Sequence, residues 1–403
     1  MGTQAGVGQS VLSEPGEAAR AAVRAACMPL DGPPELVLLF GTAGYDQQAL
    51  VRAARAEASG ARIAGCSGEG IIALGDSVER HFAVAAMAIR SDVLSFETLL
   101  LSNYSCDPVE RGRELGRRVS AWDDAIGVLL LVDGLRGNCT DLLGALEETI
   151  RPGVAVVGGT SADGFLFEEN YQYEGDRAAS DAVAAVVVRG RGHVELAVSH
   201  GCMPVGRPRV VTRAEGGWVH EIDGRPAWSV FREYLDGDPR DLNAEGIVQL
   251  CIGEELPPDQ AERYAPYVIR TPLSLDQATG ALFFPGGSVY TNQRIQLTRR
   301  DPLKIRDSAR ACASQIVERN ASQTPAFVVQ FDCAGRGRIL FGADAAAMIV
   351  HPLQEALGSA VPWIGVHTYG EIAPIGSKLY YHNYTVALCA VYDGAPTAGV
   401  SAP

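Results

Sequence analysis

Residue types that carry chemistry gather late in the chain: Cys333 and Arg336 in "DCAGRGR", His367, Tyr369 and Glu371 in "GVHTYGEI", and His382 and Asn383 in "YYHNYTV". A guanidinium in a cleft grips a carboxylate or another oxyanion with two parallel hydrogen bonds. Arg336 is therefore a candidate clamp, as is Arg136 in the comparable "DGLRGN"; the alternative is pairing with a scaffold carboxylate such as Glu371. A histidine beside such loops lines a pocket, ligates a metal or haem, or bonds a turn. His382 is a candidate for a pocket because Asn383, Tyr369, His367 and Glu371 fall near it. Cys333 beside Arg336 could be a reactive thiol, and with His382 it could form a dyad, although spacing does not show that the two meet. Earlier, "GCSGEG" holds Cys66 and Ser67 but departs from GxSxG at its last position, Glu69, and the sequence singles out no His and carboxylate to complete a triad.

The elements that must position these residues recur. An apolar run, a helix-like segment, a second apolar stretch, a glycine turn and a further apolar run occur from "ELVLLF" to "FAVAAMAI", from "IGVLLLV" to "DAVAAVVV", and from "AFVVQF" to "YTVALCAV". The turns align without a gap as Gly65 to Gly70, Gly159 to Gly164 and Gly365 to Gly370. Paired glycines let the chain leave a buried strand and reverse into the next. None of the three fits a phosphate-binding loop, since Ile71, Phe165 and Glu371 follow the second glycine. Glu69, Asp163 and Glu371 are then read first as turn chemistry, and His81, which precedes the last run of the first unit, as structural. Near-continuous apolar strands imply sheets covered on both faces. The expected fold is α/β, with mixed sheets covered by helices and built from repeated β-α-β-β units in two similar halves. The stretch from about 205 to 320 differs: a short strand, a turn at Asp223-Gly224, a helix from Pro226 and a hairpin around Thr279-Gly280 could be a diverged fourth unit. Residues 1–29 and 393–403 read as flexible ends.

Composition narrows the classes. With 403 residues and 47% apolar content the chain buries a large core, and its formal charge of −14 without a basic stripe argues against nucleic acid. No apolar run approaches the ~20 residues of a membrane span, and the N-terminus lacks the pattern of a signal peptide, so the expected location is cytoplasmic. The nine cysteines are scattered and contain no CxxC, which fits buried small apolar groups better than zinc or disulfide frameworks.

"IAGCSGEG", "GGTSADG", "FDCAGRGRILFG", "VPWIGVHTYGEIAP" and "HNYTVALCAVY" resemble the FIST family, with a FIST-N-like part at 30–230 and a FIST-C-like part at 231–392. The resemblance implies an intracellular sensory module of signal transduction that binds a small ligand. Some bacterial members bind haem and respond to nitric oxide, reporting to a histidine kinase or a cyclic-di-GMP enzyme. Without an attached output segment, this chain would signal through a separate partner. The expected ligand site comprises Arg336, Cys333, His382, Asn383, Tyr369, Glu371, His367 and Arg136. If haem is bound, the axial candidates are His382, His200 and His367. A thiol-dependent enzyme using Cys333 or Cys66 is the remaining alternative.

Overall fold

The computed structural model describes residues 2–58, 60–235, 250–262, 264–287, 289–320 and 323–395. One motif is used three times around a pseudo-threefold axis. The first unit runs through an edge strand Thr3–Ser10, helix Pro15–Cys27, strand Leu36–Thr42, helix Gln47–Glu57 and strand Arg62–Gly68, then a hairpin Gly70–Ala73/Asp76–Val78 and a return strand Val84–Ser91. The second repeats the order from Leu94–Ser102 through Ala125–Val132, Ala155–Thr160 and the hairpin Gln172–Glu174/Arg177–Ala179 to Ala182–Gly190. The third runs from His193–Ser199 through Pro302–Arg319, Phe327–Cys333, Trp363–Thr368 and the hairpin Gly370–Ile375/Lys378–His382 to Val386–Tyr392. In each unit the two central strands are parallel and the return strand is antiparallel to the first of them. The mixed α/β architecture is thus the expected one.

The local signals are strong. Asp46, Asn138 and Asp301 cap their helices by accepting the amides of Ala49, Asp141 and Lys304. The central strands are buried on both faces, Leu36–Thr42 and Phe327–Cys333 along their whole length. Their inner faces share a single core that includes Phe40, Met87, Leu129, Val186, Phe331 and Val366, while the helices cover the outer faces in separate clusters.

Each hairpin leaves its own unit. That of the first unit pairs with the third unit's strand, Ile71 opposite Val366; that of the second pairs with the first, Tyr173 opposite Gly65; that of the third pairs with the second, Glu371 opposite Gly159. Where the strands cross the axis, three equivalent backbone hydrogen bonds close a ring: Glu69 N–H to His367 O at 2.9 Å, Ala162 N–H to Ser67 O at 3.1 Å and Tyr369 N–H to Thr160 O at 3.1 Å. The register corrects the gap-free alignment by one residue in the middle copy. Gly158, not Gly159, matches Gly65 and Gly365, and a Cβ on Gly65 or Gly158 would lie 1.7 or 1.8 Å from the carbonyl oxygen of Leu39 or Leu130. These glycines serve the close approach of two parallel strands, one step before the turn.

Residues 202–300 are no fourth unit. The described residues of this stretch form an antiparallel sheet inserted between the edge strand and the first helix of the third unit, with no parallel pair and no β-α-β crossover among them. Its local features are as read: Asp223 and Gly224 have positive φ, a helix covers Ala227–Phe231, and Ser274–Asp276 pairs with Ala281–Phe283. The N-terminus is also corrected. Thr3–Ser10 pairs along its whole length with Val84–Ser91 and Pro15–Cys27 is helical, so 1–29 is no flexible end. Its small residues hid the strand: in "TQAGVGQS" only Thr3 and Val7 are of the β-branched or aromatic types that mark one, and the rest are small or amide residues. At the C-terminus Asp393 accepts the Thr3 amide at 2.6 Å, and the rest of the expected tail, from 396 on, lies outside the described residues.

Candidate functional site

At Gln330 and Asp332 the third unit buries polar and charged side chains where its siblings have Leu39 and Gly41 or Leu130 and Val132. Arg336 and Asp332 are fully buried and paired at 3.1 Å, with Arg336 Nη1 donating to Ser199 O at 3.1 Å and Gln330 Nε2 to Asp332 Oδ2 at 2.9 Å. Burial pushes the Asp332 carboxyl above its ordinary value, and the Arg336 guanidinium pulls it back. Arg336 is therefore no ligand clamp: a buried guanidinium must be spent on a buried carboxylate, and that partner is Asp332 rather than Glu371. Glu371, also fully buried, accepts from Thr368 Oγ1 at 2.8 Å and from the Thr385 amide at 3.2 Å; burial lifts its carboxyl well above the usual range.

The histidines are framework as well. His382 donates from Nε2 to Ala373 O at 3.1 Å between the rings of Tyr264 and Tyr380, and burial lowers its pKa to about 3, so the ring is neutral. It has no hydrogen bond to Cys333 among the described residues, which leaves the expected dyad without a contact. His367 is buried with Nε2 2.8 Å from Ser77 Oγ and 3.7 Å from Glu79, both on the hairpin that the first unit lends. His200 accepts the Cys202 amide on Nδ1 at 2.8 Å and meets Tyr264 edge-on. His81 is exposed and packs edge-on against Phe82. Arg136 stays in the loop of the second unit, 3.4 Å from Asp133. Cys66 is fully buried in a central strand, where burial raises its thiol pKa and closes it to substrate.

Cys333, Tyr369 and Asn383 do come together, around a narrow cleft of about 40 Å³. Its floor is the turn Cys333–Gly335; the sulfur of Cys333 accepts the amides of Gly335 and Tyr384, yet burial still holds the thiol well above its ordinary pKa. Asn383 fixes one wall, with Nδ2 donating to Tyr369 O at 3.1 Å and Oδ1 accepting the Thr271 amide at 3.1 Å. Thr271 comes from the inserted sheet; it is 5% exposed, lines the cleft, and among the described residues its hydroxyl finds no hydrogen-bond partner. The rim is the second unit's loop. Phe165 and Phe167 both have φ of 55°, and their rings lie 5.9 and 5.1 Å from that of Tyr369. The Tyr369 hydroxyl ties this loop down, donating to Asp163 at 2.5 Å and accepting the Phe165 amide at 2.9 Å. Thr368 joins the lining and connects it to Glu371. Thr271, Phe165 and Phe167 were missed in the sequence. Thr271 carries no motif, whereas two phenylalanines directly after a glycine turn, in "DGFLFEE", were a usable sign.

A wider cavity of about 330 Å³ lies at the matching strand end of the first unit, between Ala43–Gln48 and Asp163–Tyr171. None of the expected ligand residues lines it. Three of its four carboxylates are engaged: Asp46 caps a helix, Asp163 accepts the amides of Phe167, Glu168 and Glu169, and Glu169 accepts the hydroxyls of Tyr171 and Ser180; the fourth, Glu168, is exposed. Neither cavity is lined by a histidine; Nε2 of His382 and His367 is already bonded, and His200, whose Nε2 finds no hydrogen-bond partner among the described residues, is buried outside both cavities. Neither cavity therefore presents a histidine to a haem. Among the described residues no group of three His, Cys, Asp or Glu is placed to hold a metal ion.

Comparison with known proteins agrees with the repeated motifs. The FIST N domain model matches residues 35–225 and the FIST C domain model residues 227–374. An uncharacterized protein of Mycobacterium tuberculosis is 28% identical over 389 residues, covering 93% of this chain and 96% of its own. Another, of Mycobacterium bovis, is 32% identical over 265 residues, so the chain spans 64% of that relative's length. A solved cyanuric acid hydrolase from A. caulinodans aligns over 96% of this chain and 99% of its own at 10% identity with a TM-score of 0.32, too low to bear on function. With both family models matched in order over nearly its whole length, the chain belongs to the FIST family, whose domains are sensory modules of signal transduction.

Proposed function

We propose that this protein is a cytoplasmic sensor whose small ligand occupies the cleft among Cys333–Gly335, Tyr369, Asn383 and Thr271, and which reports to a separate partner, a histidine kinase or a cyclic-di-GMP enzyme. One observation carries the reading: the cleft is walled by three segments distant in the chain, namely the second unit's aromatic loop, the strand ends of the third unit and the inserted sheet. An occupant touching all three changes how they sit against one another, which is what a sensor needs. The cleft is too small for a ligand as it stands, so the Phe165–Phe167 rim must give way. Thermal melting of the full chain against a panel of amino acids, carboxylates, amines and neutral ring compounds tests this. A true ligand at a hundredfold excess over its Kd stabilises by about 2.7 kcal/mol, a rise of several degrees. The rise should vanish in Asn383→Ala once that variant is shown to fold. A folded, ligand-free protein with no shift across the panel overturns the reading.

A further inference from the structure

The chemistry of the cleft says what it holds, given that it is the sensory site. No charged side chain lines it. Arg336, the cation that might have drawn a carboxylate, is sealed behind it against Asp332, and Arg300 donates to Gly335 O and lies 4.4 Å over the Tyr384 ring. An anionic ligand would have no cation among the lining residues to pair with, and an ammonium would have no carboxylate there. What the lining offers is ring faces, those of Tyr369, Tyr384, Phe165 and Phe167, and the buried hydroxyl of Thr271, which unlike that of Thr368 finds no hydrogen-bond partner among the described residues. Phe167 is stacked on Tyr369 at 26° although 41% of it is exposed and its φ is positive, a conformation that costs an L-residue energy. A side chain held this way fills a place shaped for a ring.

We propose that the cleft binds a neutral ligand bearing a flat ring, which stacks on Tyr369 in the place now held by Phe167 and is anchored by a hydrogen bond to the Thr271 hydroxyl. Displacing Phe167 releases its left-handed backbone and turns the Phe165–Phe167 loop outward, so the same step that admits the ligand changes the surface a partner meets.

The test uses the full chain and four probes with one ring in common: phenol, benzoate, benzylamine and phenylalanine, titrated by NMR. Phenol is expected to bind at least about tenfold more tightly than the charged three. Phe167→Ala should tighten phenol several-fold, because the cleft no longer has to expel its own ring, and Phe167→Leu should fall between. Thr271→Val should weaken phenol about fivefold, the worth of one hydrogen bond, without weakening toluene. Preferred binding of benzoate, benzylamine or phenylalanine at the cleft, located by the chemical shifts of Tyr369 and Asn383, overturns the neutral-ring assignment and leaves the sensory reading standing. Silence of all four probes in both wild type and folded Phe167→Ala also overturns it. The sensory reading falls with it only if the wider panel is silent too.

Discussion

Leu36–Thr42 and Phe327–Cys333 occupy the same place in the first and third units, pair with equivalent neighbours and are buried throughout. The first reads "LVLLFGT" and the second "FVVQFDC". By register, Gln330 replaces Leu39 and Asp332 replaces Gly41, and across the next strand His367 replaces Ser67. At these positions the scaffold is therefore built without charge in one copy and with a buried network in another. Charge in the third unit is a burden that the motif itself does not require, since removing ions from water costs several kcal/mol each before pairing. Its polar cluster supports the floor and wall of the cleft. At the equivalent positions the first unit has Leu39, which packs in the core, Gly41, which has no side chain, and Ser67, which bonds the backbone of Ala162 and Tyr171.

The sharpest way to break the comparison is to separate the units. Residues 1–226 alone lack the Gly370–His382 hairpin that completes the second sheet and the Trp363–Thr368 strand that receives the hairpin Gly70–Val78. That fragment should show no cooperative melting by circular dichroism, while co-expression with residues 227–403 should restore it. A folded, monomeric 1–226 would show that the exchanged hairpins matter little. Next in size is Arg336→Met, which strands Asp332 among apolar groups and should cost about 3 to 5 kcal/mol in urea denaturation, with Asp332→Asn added on top returning much of the loss. An equal cost in single and double variants would mean that the guanidinium acts through packing alone.

The smallest effect concerns Glu69, the position equivalent to Ala162 and Tyr369 in the ring of axial hydrogen bonds. Burial, and then the nearby Glu79, push its carboxyl up to about 8 from an ordinary 4.5. Between those values the folded chain keeps a proton that the unfolded chain has released, so stability falls as pH rises from about 4.5 to about 8. Glu69→Gln should melt about 2 °C higher than wild type at pH 8 and no higher at pH 5. A constant difference across that range would show that the carboxyl titrates normally.

The site was less legible than the fold, for a physical reason visible in single residues. Cys333, Tyr369 and Asn383 could be found because they sit at strand ends of a repeated unit, where side chains meet a rigid rim. Arg336, Glu371 and His382 share those loops and looked equally suited, but whether a polar side chain points at solvent or at a buried partner depends on atoms far along the chain. Thr271 reaches the cleft from an insertion whose own pattern says nothing of the third unit.

What the sequence by itself determined was the repeated unit: apolar runs long enough to be buried on both faces, capped helices, and glycines where strands crowd. Those are properties of neighbours in the chain and of local period. Only the tertiary structure decided that each hairpin completes another unit's sheet. A strand edge must be paired somewhere, and its own backbone does not say where. The same closure placed Phe167 over Tyr369 and Thr271 opposite Asn383, making a cleft from three segments that no local pattern connects.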